Sequence, residues 1–100
     1  MSYIGLAHRA GKTLTGTAAC EIGIKRRKLK LLLLQDRLSQ SSRKRFINLC
    51  EKNNVDVLIL SGYDGLGSAI GREGIMVLGI TDSGFADKIK SIFSPEEPKS

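Results

Sequence analysis

One hundred residues, 41% of them hydrophobic but with no tryptophan and few aromatics, suffice for a single core and favour an aliphatic α/β domain over a β-sandwich. No apolar run exceeds four residues, far short of the roughly 18 of a membrane span, and no signal-peptide pattern opens the chain, so a cytoplasmic protein is expected. The net charge of +6 points to a polyanionic partner rather than an acidic-surface or membrane-embedded role.

The elements follow in chain order. Ser2 is a candidate cap for a first helix in which Ile4, Ala7 and His8 keep helical spacing, with Gly11 as its left-handed stop. Gly11-Lys12-Thr13 looks like the end of a phosphate-binding P-loop, but the first glycine of that motif should stand where Leu6 is, and Gly5 is one residue too early. The loop works by wrapping successive amides round phosphate, so a one-residue error re-aims them, and no nucleotide site is expected. Lys12 to Thr15 reads as a short strand. Thr17 to Arg27 reads as a helix with Cys20 and Ile24 on one face, and its basic end (Lys25, Arg26, Arg27, Lys28) complements the helix dipole.

Lys30 to Leu34 is apolar on both faces, the pattern of a covered central strand. Gln35 to Ser39 is expected as a loop. Ser41 to Asn53 is a helix with Phe46, Ile47 and Cys50 inward. Val55 to Leu60 is a second buried strand, and Ser61 to Gly65 a loop. A short helix then turns Leu66, Ala69 and Ile70 inward and stops at Gly71. Ile75 to Thr81 is the last strand. Asp82 or Ser83 caps a final helix with Phe85, Ile89, Ile92 and Phe93 on one stripe. Residues 1–94 are read as one domain and 95–100 as a flexible tail. The alternation predicts a three-layer α/β/α sandwich around a small mixed four-stranded sheet.

Catalytic constellations do not emerge from the sequence. His8 is the only histidine, and the carboxylates show no metal or acid–base spacing. Gly65, Gly67 and Gly71 miss the dinucleotide fingerprint by one residue. Two cysteines, Cys20 and Cys50, are read as reduced buried thiols. No enzyme activity, metal, cofactor or small-molecule substrate is expected. Charge is more informative. Residues 1–45 hold eleven basic side chains and two acids, hence +9, whereas residues 46–100 hold five basic and eight acidic, hence −3. Folding does not demand that split, and two basic runs in one half, 25–30 and 43–45, are the footprint of a nucleic-acid partner.

The stretches IGLAHRAGK (4–12), KLLLLQD (30–36), SSRKRFINLCEKNNV (41–55), LGSAIGR (66–72) and GITDSGFADKI (79–89) together resemble the kink-turn-binding ribosomal protein family typified by the large-subunit proteins seven-Ae and thirty-e. The resemblance is strongest to the family's small bacterial, YlxQ-type branch and spans essentially the whole chain. It implies a monomeric α/β/α sandwich, ribosomal or ribosome-associated, that binds bent RNA containing sheared G·A pairs. The RNA-binding residues it implies are Lys12, Gly16, Thr17, Ala18 and Ala19, then Gln35, Asp36, Arg37 and Ser39, then Arg72, Glu73 and Gly74, with Lys25 to Lys28 as a secondary basic patch.

One departure matters. Kink-turn readers of the family carry Gly-x-Asn-Glu-x-x-Lys where the second helix begins. Here Gly16 is kept, but Ala18, Ala19 and Ile22 replace the three polar readers. Losing two base-edge contacts worth about 1–3 kcal/mol each lowers affinity by roughly 30-fold to 10⁴-fold. Phosphate and shape contacts are what the pattern retains. The alternative is a family-fold protein whose former RNA face binds a protein partner, favoured by the apolar character of those three positions.

Overall fold

Leu31, Leu32, Leu33 and Leu34 all have zero exposure, and side chains alternate across a strand, so this one segment requires a cover on both faces. The computed structural model, which describes residues 3–61, 66–72 and 74–93, supplies both covers. The elements run α1 (Tyr3–Arg9), β1 (Thr13–Thr15), α2 (Thr17–Lys25), β2 (Leu31–Gln35), α3 (Gln40–Asn53), β3 (Asp56–Leu60), α4 (Leu66–Ile70), β4 (Val77–Ile80) and α5 (Ser83–Phe93). The Ser2 cap, the loop residues 62–65, Glu73 and the tail at 95–100 lie outside the described residues.

The sheet is mixed, in the order β1-β4-β2-β3, with β2 parallel to β3 and β4 antiparallel to both β1 and β2. Leu31 and Leu33 join Leu78 and Ile80 under α1, α4 and α5, packed with Ile4, Ala7, Leu66, Ala86 and Ile89. Leu32 and Leu34 join Val77 on the other face, under Cys20 and Ile24 of α2 and Phe46 and Cys50 of α3. Each such leucine stabilises the fold by about 1.5–3 kcal/mol relative to leaving it in water. Three layers result, as the alternation of elements predicts.

Differences from the expected elements are local. The last helix buries Ala86 and Ile89, with Phe85 and Phe93 half-buried, while Ile92 is 54% exposed. The apolar stripe is centred on Ala86, Ile89 and Phe93, so Ile92 falls on its flank. Helix α2 ends at Lys25 rather than Arg27. Arg26 is its C-cap and Arg27 turns left-handed at φ 59°. Two glycines set the separation of α2 from the sheet. A Cβ on Gly79 would lie 2.6 Å from Leu29 Cδ2, and one on Gly23 2.5 Å from Leu14 Cδ1, so the helix and Leu29 sit where any larger residue would push them off.

His8 bonds through Nδ1 to Thr13 Oγ1 at 2.8 Å, tying α1 to β1. Both thiols are buried and free. Cys20 Sγ donates to the Leu14 carbonyl at 3.3 Å. Burial pushes its thiol up to about 12, opposed by a backbone hydrogen bond from Gly79 and helped by repulsion from Cys50. Burial alone pushes Cys50 up to about 11. No described helix is long and apolar enough to cross a membrane.

Candidate nucleic-acid interface

The strand directions decide which loops meet. The C-terminal ends of β1, β2 and β3 and the N-terminal end of β4 share one end of the sheet, because β4 runs antiparallel to its neighbours. That end gathers Gly16, the turn from Asp36 to Ser39, and Arg72 and Gly74. Backbone bonds fix it: the Gly16 amide donates to Val77 O at 3.0 Å, Gln35 to Met76 O at 2.9 Å and Asp36 to Leu60 O at 3.0 Å. We call it the glycine pole.

Gly16 stands at φ 90°, ψ 165°, a region that essentially only glycine occupies. It is also the N-cap of α2, and no side chain caps that terminus and no acid stands in its first turn. The amides of Thr17, Ala18 and Ala19 therefore open outward with the positive end of the helix dipole behind them, an arrangement suited to an anion. Thr17 and Ala18 are exposed and Ala19 half-buried. Ile22, one turn on, is 54% exposed, so the helix presents an apolar surface where polar readers stand in the resembled family.

Across from α2, Asp36, Arg37 and Ser39 are exposed. Ser39 caps α3 by accepting from the Ser42 amide at 3.3 Å. Arg43, in the first turn of α3, reaches back and donates from Nη2 to Asp36 O at 2.7 Å, while its Nε is buried without a partner among the described residues. Arg72 is exposed and its Nη1 donates to Thr15 Oγ1 at 3.4 Å, linking the segment before β4 to the residue before Gly16. Gly74 is exposed at φ 78°.

Two expected members do not belong there. Gln35 is a strand residue with 1% exposure, not a loop residue. Its Oε1 accepts from the Leu66 amide at 2.8 Å, so it pins α4 to the sheet rather than facing a ligand. Lys12 is at the other end of the molecule. The three strand residues of β1 separate it from Gly16, and an extended chain covers about 3.3 Å per residue. Its carbonyl accepts from Thr81 and the Lys30 amide donates to Ile80 O, at 2.9 and 2.7 Å, which places Lys12 and Lys30 on either side of the C-terminal end of β4.

Arg43 and Thr15 were not assigned to the site from the sequence. In the sequence Arg43 stands out only as part of a basic run, yet its position four residues after the cap residue Ser39 is a usable signal, because it puts the side chain over the loop that precedes the helix. Thr15 carried no comparable signal. The carbonyl of Asp36 and the hydroxyl of Thr15 each orient a guanidinium at the glycine pole.

Comparison with known proteins agrees with the fold. Residues 1–90 match the model of the ribosomal protein L7Ae/L30e/S12e/Gadd45 family. The chain is 33% identical over 89 residues to the RNA-binding protein YlxQ of Bacillus subtilis (strain 168), covering 89% of each. It is 32% identical over 92 residues to the RNA-binding protein YlxQ of Enterococcus faecium, covering 92% of this chain and 88% of that one. Among solved structures, a protein of unknown function from Bacillus halodurans superposes with a TM-score of 0.86 at 26% identity, over 91% of this chain and 92% of that one. The 15.5kD RNA binding protein of Giardia lamblia shares the fold with a TM-score of 0.75 at 13% identity, over 91% and 81%. With nine-tenths of its length matched by the family model and by relatives of about one-third identity, this chain belongs to the ribosomal protein L7Ae/L30e/S12e/Gadd45 family.

Proposed function

We propose that the protein is a non-catalytic, cytoplasmic, monomeric RNA-binding protein, ribosomal or ribosome-associated, whose single domain recognises structured, kink-turn-like RNA at the glycine pole through phosphate and shape contacts. The observation that carries the reading is the start of α2: uncapped, acid-free amides at Gly16, faced by the arginine-bearing Asp36–Ser39 turn and by Arg72. The names of the relatives, RNA-binding proteins both, support the choice of RNA. Ala18, Ala19 and Ile22 offer no base-edge hydrogen bonds, so affinity for a kink-turn rests on the backbone amides and cations.

The test restores the missing readers. Ala18→Asn with Ala19→Glu and Ile22→Lys is expected to raise affinity for a kink-turn RNA at least about tenfold, as one or more contacts of about 1–3 kcal/mol return, with the melting temperature retained. A folded triple variant with unchanged affinity overturns the reading of this pole as a kink-turn frame. A second reading is favoured by the exposed Ile22 beside Ala18: a protein partner seated on α2. Salt separates the two, because phosphate neutralisation gives affinity that falls steeply with salt and an apolar contact does not.

A further inference from the structure

The strongest unassigned feature is the charge at the end of the sheet opposite the glycine pole. Lys12 and Lys30 flank the C-terminal end of β4. Lys12 and Lys30, both exposed, immediately precede β1 (Thr13–Thr15) and β2 (Leu31–Gln35) at this end. At that same end the chain leaves α2, which begins at the glycine pole, through Arg26, Arg27 and Lys28, all exposed. None of these five cations has an ion-pair partner among the described residues. The nearby acids are engaged: Glu21 with Lys25 and Arg45, Asp56 with Lys90, and Asp82 with the Phe85 amide. Glu51, in the last turn of α3, is followed directly by Lys52 and leaves no net charge there. The C-terminal dipole of α2 amounts to about half a negative charge, so five cations exceed what the helix needs.

The turn carrying three of them is a left-handed helix stop. Lys28 N donates to Gly23 O at 2.8 Å and Arg27 N to Ile24 O at 3.0 Å, the paired bonds of a Schellman motif, whose left-handed position glycine fills best. Arginine fills it here at φ 59°. A guanidinium is held where the backbone alone would favour having no side chain.

Distance excludes the simple use of this charge. The strand β2 puts about 16 Å between the two poles, at roughly 3.3 Å per residue over its five residues, twice the Debye length of about 8 Å at physiological salt. Cations here add little to a phosphate held at Gly16.

We propose that Lys12, Arg26, Arg27, Lys28 and Lys30 form a second RNA surface, which holds the phosphate backbone of a separate segment without reading its sequence, so that one protein bridges two parts of a folded RNA. The choice of RNA as occupant rests on the function proposed above; the surface itself does not.

The experiment compares a short kink-turn hairpin with a long, duplex-rich RNA, each titrated over salt. Arg26→Glu with Arg27→Glu and Lys28→Glu is expected to lower the slope of log affinity against log salt by about three on the long RNA, at roughly 0.9 per phosphate contact. It should weaken that complex at least about 30-fold and leave the short hairpin within about twofold. Arg27→Gly, which keeps the turn and relieves its backbone, guards against misfolding and should weaken only the long complex while raising the melting temperature. In the wild type, two short hairpins carrying different fluorophores should come within energy-transfer range on one protein, and the charge-reversal variant should abolish the transfer.

An unchanged salt slope on the long RNA overturns the proposal, as does an equal loss on both RNAs, which would mean a single face. Tight binding of poly-glutamate in competition with RNA overturns RNA as the occupant in favour of an acidic protein. If long-RNA binding is lost in the charge reversal but no variant of Gly16 affects either RNA, the glycine-pole reading falls and this one stands. If the hairpin needs Gly16 but the long RNA ignores the charge reversal, the reverse holds.

Discussion

The two ends of the sheet offer an anion different things. At the glycine pole the donors are mostly backbone: the uncapped amides that follow Gly16, on a frame fixed by the Gly16, Gln35 and Asp36 amides donating to the Val77, Met76 and Leu60 carbonyls. At the basic pole they are long side chains on a turn and two strand starts, with few fixed partners. Fixed amides define a shape and favour one bent geometry, whereas flexible cations follow any phosphate chain and are weakened by salt. On the proposed reading one molecule combines a geometry-selective end with a charge-selective end, and the two should act independently.

The largest effect should come from the residue that anchors the basic turn. Leu29 is buried against Gly79 and beside Gly23. Leu29→Ala opens a cavity between α2 and the sheet and should cost about 2–5 kcal/mol, read as a lower denaturant midpoint. In the folded fraction, hairpin binding at the glycine pole should persist while the salt slope on long RNA falls. Loss of both together would show that the poles are mechanically one unit.

The layer joining the poles has a pH signature. Both thiols lie under α2 and α3, and burial raises them from the ordinary value of 9.0 to about 12 for Cys20 and about 11 for Cys50. A raised value means the folded protein keeps a proton that the unfolded chain releases. The stabilisation is therefore complete below pH 9 and is lost as pH climbs toward 11–12. At pH 10 the loss should be about 1–1.5 kcal/mol per thiol. Lys90, raised chiefly by its hydrogen bond to Asp56, acts in the same direction above its ordinary 10.5. Urea midpoints at pH 8 and pH 10 should differ accordingly, and Cys20→Ala with Cys50→Ala should flatten the difference. Slow thiol alkylation at pH 8 in the native protein, fast in urea, is the matching readout.

Gly16→Ala isolates the other pole. A Cβ there meets no atom within 4 Å, so the penalty is conformational rather than a clash: about 1–3 kcal/mol for forcing a non-glycine residue into this region. Hairpin affinity should fall and the long-RNA salt slope should not. Equal affinity for the hairpin in a folded variant would remove the turn from the interface.

What the sequence revealed depended on whether the signal was local. Strand β2 and the layers around it could be read from Leu31 to Leu34, because a run apolar on both faces admits only a covered strand. The Gly16 turn comes from the family resemblance alone, and its φ of 90° is a structural observation. The family resemblance groups Lys12 with Gly16, yet a strand of only three residues carries it to the far end. Gln35 reads as the first residue of a loop, but its carboxamide is buried to hold the Leu66 amide, a partner 31 positions away. Arg27 was read as helical, since charge and spacing fit, and nothing local announced the left-handed stop that Lys28 and Gly23 close.

That stop supplies the smallest and sharpest test. Two helices end in a left-handed residue other than glycine, α2 at Arg27 (φ 59°) and α3 at Asn54 (φ 57°). The second is closed by Val55 N donating to Cys50 O at 2.9 Å. The backbones are alike and the residues are not. Asparagine tolerates this region through its short polar side chain, whereas an arginine bears the full clash of Cβ with the following carbonyl, of order 1–2 kcal/mol. Part of that is returned as entropy when glycine is introduced, since glycine has more freedom to lose. Arg27→Gly should therefore stabilise the protein by about 0.5–1 kcal/mol, and Asn54→Gly by a few tenths at most. The same two variants should differ in binding: Arg27→Gly weakens the long-RNA complex and Asn54→Gly leaves it alone. A substitution that strengthens the fold while weakening the complex separates charge held for a ligand from charge held for the helix dipole. If Arg27→Gly instead destabilised the fold, the guanidinium would be answering the exposed carbonyls at the end of α2, and the basic pole would lose its strongest structural support.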